Sequence, residues 1–210
     1  MSYSMTYDSL LDDLRRYLER GFTAESDAIV HEQLPRLITL GERRIARELK
    51  IQGFIRPVNT VLQPGVAVYQ KPDRWRDTVS MNIAGRSLFG RPYEACRNYW
   101  PDESQRDAPE YYADYDYGHW LLVPTPATAQ TLEILYYEQP RFLGPDSQTN
   151  WLTEYAPDLL LYAALLEAAP FLKKDERIQT WQAMYDRAAQ ALSGEDLKRI
   201  MDRAASRTEA

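Results

Sequence analysis

The stretch from Thr149 to Leu192, TNWLTEYAPDLLLYAALLEAAPFLKKDERIQTWQAMYDRAAQAL, constrains the fold more than any other part of this 210-residue chain. Pro157 suits a first helical turn, where a missing backbone donor costs nothing, and Asp158 brings the negative charge that a helix N-terminus favours. A helix is therefore expected from about Ala156. Leu159, Tyr162, Leu165, Leu166 and Ala169 recur at three- and four-residue steps, and Leu160, Leu161, Ala163 and Ala164 widen that stripe until almost no polar face remains. The helix is expected to be buried nearly all round. Pro170 lacks the donor that a continuing helix needs, and Lys173 to Arg177 make a charged corner before Ile178, Trp181, Tyr185, Ala188 and Leu192 resume helical spacing. A helical hairpin results.

A second amphipathic pattern, Tyr7, Leu10, Leu11, Leu14 and Leu18, predicts a first helix that stops at Gly21. Ser26 and Asp27 offer a cap for a short helix, and Pro35 is expected to open another with Leu37, Ile38, Ile45 and Leu49 inward. Arg36, Glu42, Arg43, Arg44, Arg47, Glu48 and Lys50 fall on its outside, a mixed charge run that reads as a solvated face, although arginine clusters also bridge subunits. From Gly53 to Gly144 the pattern changes. Segments such as IRPVNTVL, VAVYQ, DTVSMNI, HWLLV and TLEILYY are rich in β-branched and aromatic residues and are punctuated by Pro and Gly. Pro64-Gly65 reads as a turn between the first two strands, and Gly90 to Trp100 as a short helix among strands. In the last strand Leu132, Ile134 and Tyr136 face one way and Thr131, Glu133, Leu135 and Tyr137 the other. The fold class expected is α+β: a helical bundle built from residues 1–52 and 150–210, with an antiparallel β-sandwich-like domain, residues 53–149, inserted between its halves. Within it the segment from Arg74 to Pro109 mixes helix and strand signals.

The composition, 44% hydrophobic and 27% charged, is that of a globular chain. No apolar run reaches the ~18 to 20 residues needed to span a bilayer, and MSYSMTYDSLLDD has no basic and apolar succession of a secretory signal, so no membrane partner and synthesis in the cytoplasm are expected. A net charge of -6 opposes broad affinity for nucleic acid, which depends on clustered Lys and Arg. The lone Cys96 reads as a buried filler. His31 and His119 have no ligand-spaced partner, and no phosphate loop, nucleophile elbow or His-Glu-x-x-His helix occurs, so neither a catalytic set, a cofactor nor a metal is expected. Asp114 and Asp116 among Tyr111, Tyr112, Tyr115 and Tyr117 fit three readings: a glycosidase cleft, a carbohydrate-binding platform, or tyrosines packed on a sheet. With 15 tyrosines and 5 tryptophans, residue types enriched at protein interfaces, assembly is favoured.

Three blocks, LPRLITLGERRIARELK at Leu34 to Lys50, YYADYDYGHWLLVPTPATAQTLEILYYEQPRFL at Tyr111 to Leu143, and NWLTEYAPDLLLYAALLEAAPFLKKDERIQTW at Asn150 to Trp181, share an order and spacing that resembles the head-to-tail adaptor (head completion or connector) proteins of short-tailed phages. The resemblance implies a non-enzymatic virion protein at the head-tail interface. It would form a ring, commonly of twelve copies, between the portal protein and the tail nozzle or tube, with DNA passing through the lumen without specific binding. Gly194 is expected to interrupt the last helix. Beyond it Leu197, Lys198, Ile200, Met201, Arg203 and Arg207 become candidate portal contacts, because in such adaptors the C-terminal segment often reaches the portal. Trp75, Trp100, Trp120, Tyr115 and Tyr117 are candidate subunit or tail contacts, and Trp151, Pro157 and Tyr162 are candidate scaffold residues. The alternative is a carbohydrate- or receptor-binding tail module.

Overall fold

The computed structural model describes residues 5–172 and 175–208, with side chains at 5–172 and 176–195. In chain order the elements are α1 (Tyr7–Leu18), α2 (Ala28–Glu48), β1 (Ile55–Val61), β2 (Val68–Gln70), β3 (Trp75–Ile83), β4 (Arg86–Ser87), β5 (Phe89–Gly90), α3 (Tyr93–Tyr99), β6 (Arg106–Asp107), β7 (Tyr111–Asp114), β8 (His119–Val123), β9 (Thr125–Pro126), β10 (Thr131–Glu138), α4 (Trp151–Tyr155), α5 (Pro157–Leu172) and α6 (Ile178–Thr208). The fold is mixed α+β, with six helices and mainly antiparallel sheets among the described residues. Two compact units divide the chain: one holds the residues up to Gly53 and from Pro140 onward, the other Phe54–Gln139.

In the helical unit the apolar stripes behave as their spacing demands. Tyr7, Leu10, Leu11, Leu14 and Leu18 are all buried, and Thr6 caps α1 by accepting from the Ser9 amide. The chain leaves that helix through Glu19 in the left-handed region, two residues before Gly21. α5 buries Leu159, Leu160, Leu161, Ala163, Ala164, Leu165, Leu166, Ala168 and Ala169. α2 crosses it at Gly41, where a Cβ would stand 2.8 Å from the Ala164 backbone nitrogen. Only a residue without a side chain allows backbones that close.

Three expectations fail in this unit. Pro35 does not open a helix but sits inside α2, which runs unbroken from its Asp27 cap. The pyrrolidine ring is exposed, so a single missing donor is tolerated by a helix held on its other side by Val30, Leu34, Leu37 and Ile38. Glu42 is not on the outside but fully buried. It falls four residues after Ile38 and three before Ile45, which places it on the apolar stripe. Gly194 does not interrupt α6, which is helical through it. A lone Gly costs only about 1 kcal/mol in a helix interior.

In the β unit the main sheet has the order β1-β10-β3-β4, and the second has β2-β8-β7-β5. Ile134 lies opposite both Val58 and Met81, so the inward residues of three strands coincide. Register shifts beside Leu135 and Tyr137 leave Val79 and Arg76 as bulged residues of β3. Side chains from both sheets enter one core: Met81, Ile83, Leu132, Ile134 and Tyr136 from the first, Trp120 and Leu122 from β8 of the second. The intervening β8 residues, Leu121 and Val123, enter another core with Cys96 of α3. A strand buried on both faces explains why HWLLV reads as a continuous apolar run. Pro64-Gly65 does turn between β1 and β2, but those strands belong to different sheets.

Candidate functional site

The tyrosine-rich segment becomes the β7–β8 hairpin, whose last pair before the turn is Asp114 opposite Trp120. Two networks hold its tip. Asp116 accepts from the Gly118 amide at 2.7 Å and faces the His119 imidazole Nδ1 at 2.9 and 3.0 Å. The His119 contact holds the Asp116 carboxyl below the usual carboxylate range, with the Gly118 amide adding to it. The second network is centred on Lys71, whose side chain is only 3% exposed. Its Nζ donates to Asp114 Oδ1 at 2.7 Å and to the Asp116 carbonyl at 3.0 Å, and stands 3.6 Å from the centre of the Trp75 ring. A buried ammonium is costly unless paired. Here a carboxylate, a carbonyl and an indole face share its charge.

Trp75 and Trp120 meet edge to face at 6.2 Å, and both indole N–H groups donate to Thr78 Oγ1, at 3.2 and 3.1 Å. Tyr117 packs edge-on against Trp75 yet is 86% exposed, and Tyr115, 46% exposed, leans on Tyr93. The tip thus presents two tyrosine rings and two carboxylates on a closed frame. Such preorganisation lowers the cost of binding a partner.

The candidate contact residues are therefore separated by the fold. Tyr115 and Tyr117 are on the surface, Trp75 and Trp100 are half-buried, and Trp120 is 1% exposed and works from the core. Trp100 donates its indole N–H to the Gln105 carbonyl at 3.0 Å, well along the chain from the tip. Between α3 and β7 a cavity of about 240 Å³ is lined by Arg91, Ala95, Cys96, Tyr99 and Tyr111. Burial pushes the Cys96 thiol up, which removes nucleophilic character. Trp151, Pro157 and Tyr162 lie half-buried in the helical unit, where the Trp151 indole stacks on Tyr155 and covers Gly53. The backbone of Leu197, Lys198, Ile200, Met201, Arg203 and Arg207 continues α6; their side chains lie outside the described residues.

Asp77 and Asp114 line one depression of about 250 Å³. Asp114 is engaged by the Lys71 ammonium at 2.7 Å. Among the described residues no group of His, Cys, Asp and Glu is arranged to hold a metal ion, and no helix is long and apolar enough to cross a membrane.

Sequence reasoning missed two residues. Lys71 follows an ordinary strand and has no local signal, since its partners come from 43 and 45 positions away. Glu42 had one in its phase. It accepts from the Leu143 amide at 3.1 and 3.2 Å and from the Asn150 side chain at 2.7 Å, fixing the segment after Pro140 to α2. Asn150 in turn caps α4 by accepting from Leu152 and Thr153. No curated protein matches the chain. A family model described as SU10 adaptor protein matches residues 5–208. With nearly its whole length covered, the chain belongs to the SU10 adaptor family of phage head-to-tail adaptors.

Proposed function

We propose that this adaptor forms a ring, of twelve copies as in the proteins it resembles, between the portal and the tail nozzle or tube, with DNA passing through its lumen. In this reading the helical segments form one bundle, the two sheets form an inserted sandwich, and residues Leu197 to Arg207 dock on the portal. The observation that carries the reading is α6. Among its described side chains, up to residue 195, only Trp181 and Tyr185 are buried, yet the helix continues to Thr208. In proteins most helical stability comes from packing of an apolar face, not from propensity. Between Ser193 and Glu195 the described residues are all exposed, which suits a helix end that meets a partner surface.

Truncation after Ser193 tests this directly. A folded monomer that no longer adds to purified portal particles is expected, and retained portal binding refutes the docking role. Ring density added by the full chain, seen by electron microscopy, tests the assembly itself. The net charge of -6 per copy implies an acidic lumen that does not hold phosphate at short range; a predominantly basic channel in the assembled ring would sink that part. The exposed Tyr115 and Tyr117 beside Asp114 and Asp116 also suit a sugar face. Glycan binding without ring addition would favour a receptor-binding tail module instead.

A further inference from the structure

The outward row of α2 is unexplained by packing within the chain. Arg36, Arg43 and Arg47 recur at seven- and four-residue steps, which return to one helix face. All three are exposed, and none forms an ion pair among the described residues. Arg44, one position off the row, shows the contrast: its Nε donates to Glu167 at 2.7 Å. Arg43 instead lies over the Phe142 ring, 5.2 Å from its centre, and Arg47 donates only to the Arg43 carbonyl at 3.2 Å. Like charges four residues apart weaken a helix. In a chain of net negative charge, an unpaired arginine row is a surface awaiting an acidic partner.

The β7–β8 tip offers that chemistry. Guanidinium groups stack on tyrosine faces and donate to carboxylates through a planar fork. Tyr115 and Tyr117 supply the faces, and Asp114 and Asp116 keep half or more of their side-chain surface in solvent despite Lys71 and His119. We propose that the tip of one copy docks on the Arg36, Arg43 and Arg47 row of the next copy, as one contact of the ring. The inference rests on the ring reading above. Tip and row are different surfaces, so the contact is heterologous, the kind whose repetition closes into a ring rather than a two-fold dimer.

The test uses the full-length chain with Tyr117 replaced by photoreactive benzoylphenylalanine, assembled on portal particles and checked for ring density before irradiation. The expected product is a covalent dimer of this chain with the link mapped between residues 36 and 47. In the same background, Arg36→Glu with Arg43→Glu and Arg47→Glu is expected to cut the dimer yield at least tenfold, with an unchanged helical circular dichroism spectrum. Because all three side chains are exposed, the substitutions leave the core intact; Arg43→Gln alone, a milder change, is expected to lower the yield severalfold. Links to portal, to tail protein or to another part of this chain overturn the proposal, as does a dimer yield that survives arginine reversal. Reversal variants that keep the link but change DNA retention assign the row to DNA and also overturn it. Absence of ring density with the unsubstituted chain removes the ring reading itself, which separates that failure from this one.

Discussion

Glu42 is a fully buried carboxyl of the helical unit. Burial pushes its carboxyl up from 4.5 to about 7, against the opposing pull of the Leu143 amide and the Asn150 side chain. The folded form therefore holds its proton up to about pH 7, while the unfolded chain releases it near 4.5. Between those values the folded state binds more protons, so stability falls as pH rises, by at most on the order of 1.4 kcal/mol per unit, and levels off above the folded value. Glu42→Gln, which cannot ionise, is expected to flatten this fall. Glu42→Leu is expected to lower stability by roughly 2–4 kcal/mol at pH 5, where the Leu143 amide and the Asn150 side chain lose their acceptor, and by less at pH 7.5, where the wild type has itself been weakened. Urea midpoints at pH 5 and pH 7.5 check both; parallel profiles for wild type and Glu42→Gln would refute the assignment.

The crossing of α2 and α5 sets two ordinary effects against each other. Gly41→Ala raises helix propensity by about 1 kcal/mol. The new Cβ, however, meets the Ala164 nitrogen at 2.8 Å and the Ala163 carbonyl carbon at 3.1 Å, and a backbone in mid-helix cannot step aside. Overpacking of this kind costs typically 1–3 kcal/mol, so the net expectation is a lower urea midpoint with unchanged slope. A variant as stable as wild type would mean that the helices separate freely. The same crossing shows what a sequence reveals. α1 and α5 were legible because their stripes are local and complete: every apolar position of α1 named from spacing is buried. α2 was split at Pro35 because a proline rule says nothing about packing on the far face. The strands β5, β6 and β9 have two residues each and exist only through distant pairings, such as Phe89 with Tyr111 and Arg106 with Thr125. Even the β3–β4 turn lacks an obvious signature, since Ala84 takes a positive φ of 50° where Asn or Gly is the common choice. At the tip the tyrosines and aspartates were legible as a cluster. Lys71, which fixes them, was not.

The register of β1 on β10 bears on how the molecule is built. Ile55 lies opposite Tyr137, so the chain enters and leaves the β unit on adjacent strands, with Cα atoms about 5 Å apart. Both β cores draw on residues between Val58 and Tyr136, all of them within the β unit. The segment is also well above the ~40 residues below which domains usually need disulfides or metals. Residues 54–139 are accordingly expected to fold when expressed alone, and the helical remainder to fold when a short Gly-Ser linker joins Gly53 to Pro140. The isolated β unit should show one cooperative urea transition and a near-ultraviolet signal from the Trp75 and Trp120 pair. A broad transition without that signal would mean that the sheets depend on the helical unit, and that the two halves of this adaptor fold as one.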